Sequence, residues 1–266
     1  MRAPMTRHAA VAGLVAVAAL VVGAGPASAA PGDASAGGAR VDLSLPGRAA
    51  VSAGPFAAVD ANGPTAATFA GVDLPNALST GVINASASRD DKTGGVGARA
   101  STADVRLDLL STTTGGVSAE LVEAECAATQ RGLVGTAELV GLDLGGLGGL
   151  GEIGEIGEIG ARPAPDTTID VGLPGVGTAE VVFNEQVRNA DGSLTVNGVH
   201  VTLVGGTPGP VGVGDLVLST VTCGPAGLPI PMASGAGLCV GLGLLALFGV
   251  PVGAAALRRR HEPAAV

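Results

Sequence analysis

The sequence predicts an all-β fold over residues 48–225, most simply a sandwich of two antiparallel sheets. Short runs rich in Val, Thr and Leu alternate between apolar and polar side chains, as half-buried strands do. Gly, Asn and Asp separate these runs. No helical periodicity of useful length appears outside two apolar ends. A closed barrel would give the same pattern and stays an alternative.

The N-terminus has the three parts of a secretory signal peptide. Arg2 and Arg7 precede an apolar run at 9–24, and Ala27-Ser28-Ala29 forms a small-residue cleavage motif. We expect residues 1–29 to be removed by cleavage between Ala29 and Ala30. Residues 30–47 follow as a leader of mostly small side chains, which we predict to be flexible.

Eight runs with strand character follow the leader, and turn residues separate several of them. The strongest hairpin signal is Asp191-Gly192, which stands between two alternating runs. Turns are also expected at 89–95, 114–116 and 130–132. The predicted strands are 49–53, 80–88, 96–110, 117–128, 133–144, 178–187, 194–204 and 215–223.

A low-complexity Gly-rich loop is predicted at 145–165. It contains three Gly-Glu-Ile triplets, which begin at Gly151, Gly154 and Gly157. Too few triplets are present, without proline, to form a collagen helix. The carboxylates are spread along the segment, whereas a calcium loop brings its oxygens together in a tight turn. We therefore interpret the segment as an expanded surface loop.

The C-terminal region has the layout of a membrane anchor. A linker at 226–232 precedes an apolar stretch at 233–257, which as a helix would measure about 37 Å against a hydrocarbon core of about 30 Å. Arg258, Arg259 and Arg260 then form a stop-transfer cluster at the start of a basic tail at 258–266, which positive-inside orientation places in the cytoplasm. This predicts a single-pass type I protein of the cell membrane, with most of the chain extracellular.

A sortase-type wall anchor is the alternative for this end of the chain. Leu228-Pro229-Ile230-Pro231-Met232 precedes the apolar stretch as a sorting motif would. It has Pro231-Met232 where such motifs have the Thr-Gly bond that the sortase cysteine attacks. We therefore favour a retained membrane helix.

Composition excludes several classes of function. Only 14% of residues are charged, against about 25% in typical domains, and Trp and Tyr are absent. Residues 30–232 carry nine basic and 22 acidic side chains, a balance of 9 − 22 = −13, which would repel nucleic acid. No phosphate-binding or metal-binding motif is present, so we expect no cofactor and no metal site.

Cys126 and Cys223 are predicted to form a disulfide. Both stand near the ends of predicted strands in a chain that we expect to be exported, whereas Cys239 lies in the apolar stretch. Free thiols or a metal site are the alternatives, but no second His or Cys supports a metal site.

Candidate catalytic residues are few. His200 is the only histidine between the two apolar ends, and alternation places it on one strand face with Val196 and Thr202. No nucleophile elbow accompanies it. Glu120, Glu123 and Glu125 cluster before Cys126, but only three Phe remain to wall a sugar cleft. We predict an ordinary strand histidine and no catalytic residue.

An ordered series of short motifs runs through the predicted domain. The series is Glu123-Ala124-Glu125-Cys126-Ala127-Ala128, Asn184-Glu185-Gln186, Thr195-Val196-Asn197-Gly198-Val199-His200-Val201, Gly214-Asp215-Leu216-Val217-Leu218 and Val221-Thr222-Cys223. It resembles the actinobacterial exported surface proteins called choice-of-anchor P, over about 48–223. The resemblance implies a surface location, the cysteine pair and a variable C-terminal anchor, and it implies no activity.

These observations together predict a non-catalytic protein of the bacterial envelope with a structural or adhesive role. Its partner would be an envelope component or another protein, and its anchor would bind the membrane. An exported hydrolase that uses His200, and a wall-anchored surface protein, are the alternatives.

Overall fold

The structure, a computed structural model, describes residues 30–44, 49–110, 116–145, 160–173, 177–205 and 213–228. The predicted signal peptide, the Gly-Glu-Ile triplets, the apolar stretch at 233–257 and the arginine cluster lie outside these residues. Within them, no helix is both long and apolar enough to cross a bilayer. Fourteen strands and one 3-10 turn, Asp108–Leu110, form the described part.

The first sheet, sheet A, contains six strands in a continuous antiparallel ladder. Their order across the sheet is β11, β12, β13, β14, β1, β2, and a short strand, β3, also pairs with β1. The bounds are β1 Ala34–Ser44, β2 Val51–Phe56, β3 Val59–Asp60, β11 Thr167–Leu173, β12 Gly177–Arg188, β13 Leu194–Gly205 and β14 Val213–Cys223.

The second sheet, sheet B, is built around β8. β8 pairs with β9 on one side and with β7 and β6 on the other, while β10, β4 and β5 extend the sheet outward. The bounds are β4 Ala66–Phe69, β5 Asp73–Leu74, β6 Leu78–Ser79, β7 Ile83–Asp90, β8 Gly95–Leu107, β9 Val117–Thr129 and β10 Gly132–Val140. The two sheets face each other across the core, so the all-β prediction is confirmed as a sandwich-like fold.

Each of the eight predicted strands overlaps an observed one. The hairpin at Asp191-Gly192 is also confirmed, because Arg188 pairs with Leu194 across it and Gly192 has a φ of 83°. The Asp191 carboxylate accepts hydrogen bonds from the Ser193 backbone N–H at 2.9 Å and from the Ser193 hydroxyl at 2.7 Å. The local residues thus fix the turn themselves.

The prediction of a flexible leader at 30–47 is wrong. β1 occupies much of that segment and lies between β14 and β2, inside sheet A. Ala34, Ala36 and Ala39 point into the core and are almost fully buried. Their side chains are small, so the segment has the composition of a linker, although it forms a central strand.

Along the strands of sheet A, the alternation between core-facing and outward-facing residues reverses at one row of residues that crosses the sheet. We call it the exchange row. Val199 and Val201 of β13 point into the core, and so does Val196, although an odd and an even position cannot share a face in a regular strand. Asn197 and Gly198 together occupy the interval between them. The prediction that Val196 and His200 share a face is therefore wrong.

The exchange row passes through four neighbouring strands. The pairing of β12, β13, β14 and β1 is interrupted at the same level in each, without a change of register. Asn184 and Ser219, two members of the row, adopt left-handed φ values of 52° and 53°. The other two members, Gly198 and Gly38, lie so close to sheet B that a Cβ on Gly38 would overlap the Ile83 side chain.

A buried polar bridge joins the two sheets at the exchange row. The Thr102 hydroxyl of β8 lies 3.0 Å from the Ser219 hydroxyl of β14 and donates to the Gly38 carbonyl at 3.3 Å. The Ser219 hydroxyl donates to the Val122 carbonyl of β9 at 2.8 Å. The Gly38 carbonyl at the interruption thereby obtains a partner inside the core, as buried backbone groups require.

The bridge lies between two apolar clusters of different character. One contains the large side chains Phe183, Leu78, Ile83 and Leu218. The other is built mainly from alanines together with Cys126 and Cys223. The alanine-rich cluster buries less apolar surface per residue, so this end of the sandwich gains less stability from burial.

The predicted disulfide between Cys126 and Cys223 is confirmed. It joins the end of β14 in sheet A to β9 in sheet B, with an S–S distance of 1.98 Å and a Cα–Cα distance of 6.0 Å. Both residues are at most 1% exposed. The bond therefore links the two sheets across the alanine-rich cluster.

Candidate functional site

His200 lies on the outer face of sheet A between two carboxylates. Its Nδ1 is 2.9 Å from Glu185 Oε2 of β12, and its Nε2 is 3.2 Å from Asp215 Oδ1 of β14. Asn197 donates to the same Glu185 oxygen at 2.6 Å. The Thr202 hydroxyl is 3.3 Å from His200 Nε2 and from Asp215 Oδ1. The group is partly buried, with the His200 side chain 20% exposed.

These contacts stabilise the charged form of His200. The hydrogen bond to Glu185 raises the pKa of His200 most, and burial opposes it. The same bond holds the pKa of Glu185 below its ordinary value. Asp42 of β1 pairs across the ladder with Asp215, and its pKa is lowered first by the hydrogen bond from the Ser52 hydroxyl of β2 and then by the Arg40 guanidinium.

The protonation state of His200 decides whether it could act as a general base. A base must present an unprotonated nitrogen to the hydroxyl that it activates. A carboxylate accepts hydrogen bonds and cannot donate them, so His200 can hydrogen-bond to both Glu185 and Asp215 only when both ring nitrogens carry protons. In this arrangement Nε2 has no lone pair for the Thr202 hydroxyl. With both nitrogens protonated, the cluster is an ion-paired network on a strand face.

A polar depression lies on the outer face of sheet B. Its volume is about 350 Å³, and its floor consists of outward side chains from β8, β9 and β10. Arg162, from the segment before β11, completes one wall. The lining residues are Arg99, Glu123, Glu125, Thr136, Ala137, Glu138 and Arg162.

Opposite charges alternate around this depression. Glu123 and Glu138 are directly paired across β9 and β10, an arrangement of like charges that is unfavourable alone. Arg99 Nη2 contacts Glu123 Oε2 at 2.6 Å, and Arg162 Nη2 contacts Glu138 Oε2 at 3.0 Å. The Glu123 contact raises the pKa of Arg99. Glu125 stands opposite Arg99 in the ladder and adds a third carboxylate.

The depression contains two of the three glutamates that the sequence grouped together. Glu123 and Glu125 line it, whereas Glu120 lies farther along β9 and packs against Gly141. Cys126 follows Glu125 directly and points to the opposite side of β9, into the core. The disulfide therefore fixes the strand that supplies both glutamates.

Sequence reasoning missed the partners of these glutamates. Strand alternation in β8 and β10 would have placed Arg99, Thr136 and Glu138 on the outer face. No pattern indicated Arg162, which lies near the end of the predicted Gly-rich loop and reaches Glu138 only through the folded chain.

Neither cluster forms a metal centre within the described part of the chain, where no three His, Cys, Asp or Glu side chains are grouped as metal ligands would be. Comparison of the sequence with protein-family models, with curated proteins and with solved structures finds no match.

Proposed function

We propose that this chain is a non-catalytic surface protein of the bacterial envelope that acts by binding. The polar depression on sheet B is the observation that carries the proposal. It offers three carboxylates, two guanidinium groups and a hydroxyl within about 350 Å³. Strands β8, β9 and β10 present all of these groups except Arg162, and preorganised groups lose little entropy on binding.

The charge of the depression suggests the chemistry of the ligand. Each guanidinium is paired with a glutamate, which leaves Glu125 as the excess negative charge. A ligand with an ammonium or guanidinium group beside hydroxyl or carbonyl groups would complement this surface. An amine-bearing envelope polymer or a protein side chain has such groups.

Export to the cell surface is supported by the disulfide and by the two ends of the sequence. Disulfides persist in oxidising compartments, where a cleaved signal peptide would deliver the chain. The apolar stretch at 233–257 would then anchor it as a type I membrane protein. Membership of the choice-of-anchor P group belongs to the same proposal.

An exported hydrolase is the rival function. The Glu185, His200 and Thr202 side chains form a series like that of a catalytic triad. The contact of Asp215 with Nε2 favours a protonated histidine, which argues for the ion-paired interpretation. Covalent anchoring to the cell wall is the alternative mode of attachment. Release of the intact chain by detergent, without digestion of the wall, would favour the membrane anchor.

Binding can be tested with matched glutamate variants of the full chain. Purified envelope polymers, with and without their free amines acetylated, are incubated with the detergent-solubilised protein, and bound protein is measured. Glu125→Gln and Glu138→Gln together should reduce binding at least tenfold, and acetylation should do the same. Glu180→Gln, at an exposed position of β12 in the other sheet, is the control. Equal binding by all variants would refute the role of the depression.

A further inference from the structure

The chain that leaves the sandwich is fixed to the body of the domain over residues 224–228, which we call the strap. Gly224 N–H donates to the Asp33 carbonyl at 2.9 Å, and Gly32 N–H donates to the Pro225 carbonyl at 2.7 Å. These two bonds attach the strap to the turn that precedes β1. The strap and the first described residues therefore lie together at one end of sheet A.

The strap is also attached to sheet B. Gly227 N–H donates to the Gly94 carbonyl at 2.8 Å, in the turn between β7 and β8. Gln130, in the turn between β9 and β10, donates through Nε2 to the Gly227 carbonyl at 2.9 Å. Gly94 has a φ of 69°, and a Cβ there would overlap the Gly227 carbonyl. Both sheets therefore hold the strap, which restricts its movement against the domain.

These contacts define the proximal end of the sandwich. It consists of residues 30–33, the turns at 60–65, 89–95, 130–132 and 188–193, and the strap. The opposite, distal end contains the start of β14 at Val213. β8 runs between the two ends over 13 residues, so they are separated by about 40 Å at ~3.3 Å per residue.

Little chain separates the strap from the apolar stretch. Only residues 229–232 stand between Leu228 and Ala233. Even fully extended, the five steps from 228 to 233 span about 17 Å, at roughly 3.3–3.6 Å per residue. This is less than half the length of the sandwich.

The proximal end is also nearly balanced in charge, in contrast to the domain. It carries four basic and five acidic side chains, a balance of 4 − 5 = −1, whereas residues 30–232 have an excess of 13 acidic ones. Three of its aspartates are engaged locally: Asp90 accepts from Thr93, Asp91 pairs with Arg89, and Asp191 accepts from Ser193. Lys92 and Arg131 are exposed. A lipid surface would therefore meet less repulsion here than elsewhere on the domain.

We propose that the proximal end faces the lipid headgroups and that the strap holds the sandwich upright, with the distal end directed away from the membrane. This inference rests on the proposed membrane anchor. The polar depression is on a side face of the sandwich. This face then runs parallel to the membrane normal, so a ligand can reach the depression from the side.

The orientation can be measured in lipid nanodiscs with the full chain. A fluorophore is attached at Lys92→Cys or at Val213→Cys, both in a Cys239→Ser background with the disulfide intact. The discs contain phosphatidylcholine with a nitroxide on some headgroups, which quenches only nearby fluorophores. The proposal predicts several-fold stronger quenching at position 92 than at position 213.

A linker variant tests the strap itself. About 20 Gly and Ser residues inserted after Leu228 give a flexible tether with a root-mean-square length of about 25 Å, and the difference in quenching should largely disappear. Equal or reversed quenching without the insertion, in chains that enter the discs, would overturn the orientation alone. Failure of the chain to enter the discs would overturn both the anchor and this inference.

Discussion

Loss of the Cys126–Cys223 bond should destabilise the β-sandwich domain more than loss of any other single side-chain contact. The bond closes a loop with a sequence separation of 97. In the chain-entropy treatment a loop of this length contributes about 4 to 5 kcal/mol by restricting the unfolded chain. The surrounding cluster consists mainly of alanines, so local apolar burial offers little compensation.

The expected effect is a large fall in the thermal midpoint. About 1 kcal/mol corresponds to roughly 2–4 °C for a domain of 150 to 250 residues, so the loss should lower the midpoint by about 10 to 15 °C. Cys126→Ser, Cys223→Ser and the double variant should fall by similar amounts, because each removes the same bond. The assay is circular dichroism of the full chain during heating.

Two comparisons make this experiment decisive. Cys239→Ser leaves the disulfide in place and should unfold at the wild-type temperature. Reduction of the wild-type protein should reproduce the midpoint of the double variant. A fall of less than about 3 °C in all three disulfide variants would refute the view that the alanine-rich end depends on the cross-link.

Three further substitutions test the ion-paired histidine, the polar bridge and the close approach of the sheets. The pKa of His200 is raised in the fold, so its contribution is full below its unfolded value of about 6.5 and is lost as pH rises through the folded pKa. Urea unfolding should show this loss in the wild type and not in His200→Gln. Thr102→Val should cost about 1–3 kcal/mol in urea unfolding, because the buried Gly38 carbonyl loses its side-chain donor; an unchanged midpoint would contradict this. Gly38→Ala should cost about 1–3 kcal/mol or more through overlap with Ile83, whereas Gly172→Ala, with open space around it, should cost much less.

The alternation of apolar and polar residues predicted those strands in which large apolar side chains and polar side chains occupy successive positions. β9 is such a strand, and its predicted and observed bounds differ by one residue. β1 was missed because alternation is invisible when alanine and glycine occupy both faces. β11, at Thr167–Leu173, was missed beside the Gly-rich insertion, although its burial alternates regularly.

The exchange of strand faces explains why the site was only partly foreseen. Regular alternation continued past Gly198 assigns Val196 to the wrong face of β13. The alternation reverses there because the pairing of four neighbouring strands is interrupted at the same row. Asn197-Gly198 within a strand was the available local signal. Glu123 and Glu125 were found because they are close in sequence. Arg162 was not, because its contact with Glu138 exists only in the folded chain.

The position of the disulfide also determines how the domain would respond to a pulling force. β14 ends at Cys223, immediately before the strap, and Cys223 pairs with Ala34 at the start of β1. Tension transmitted from a C-terminal anchor would reach the disulfide before it could separate β14 from its neighbouring strands. The disulfide would then pass the tension directly to β9 in the other sheet. The 96 residues between the two cysteines would remain outside the mechanical path. Oxidised domains should therefore extend by much less than reduced ones when they are stretched.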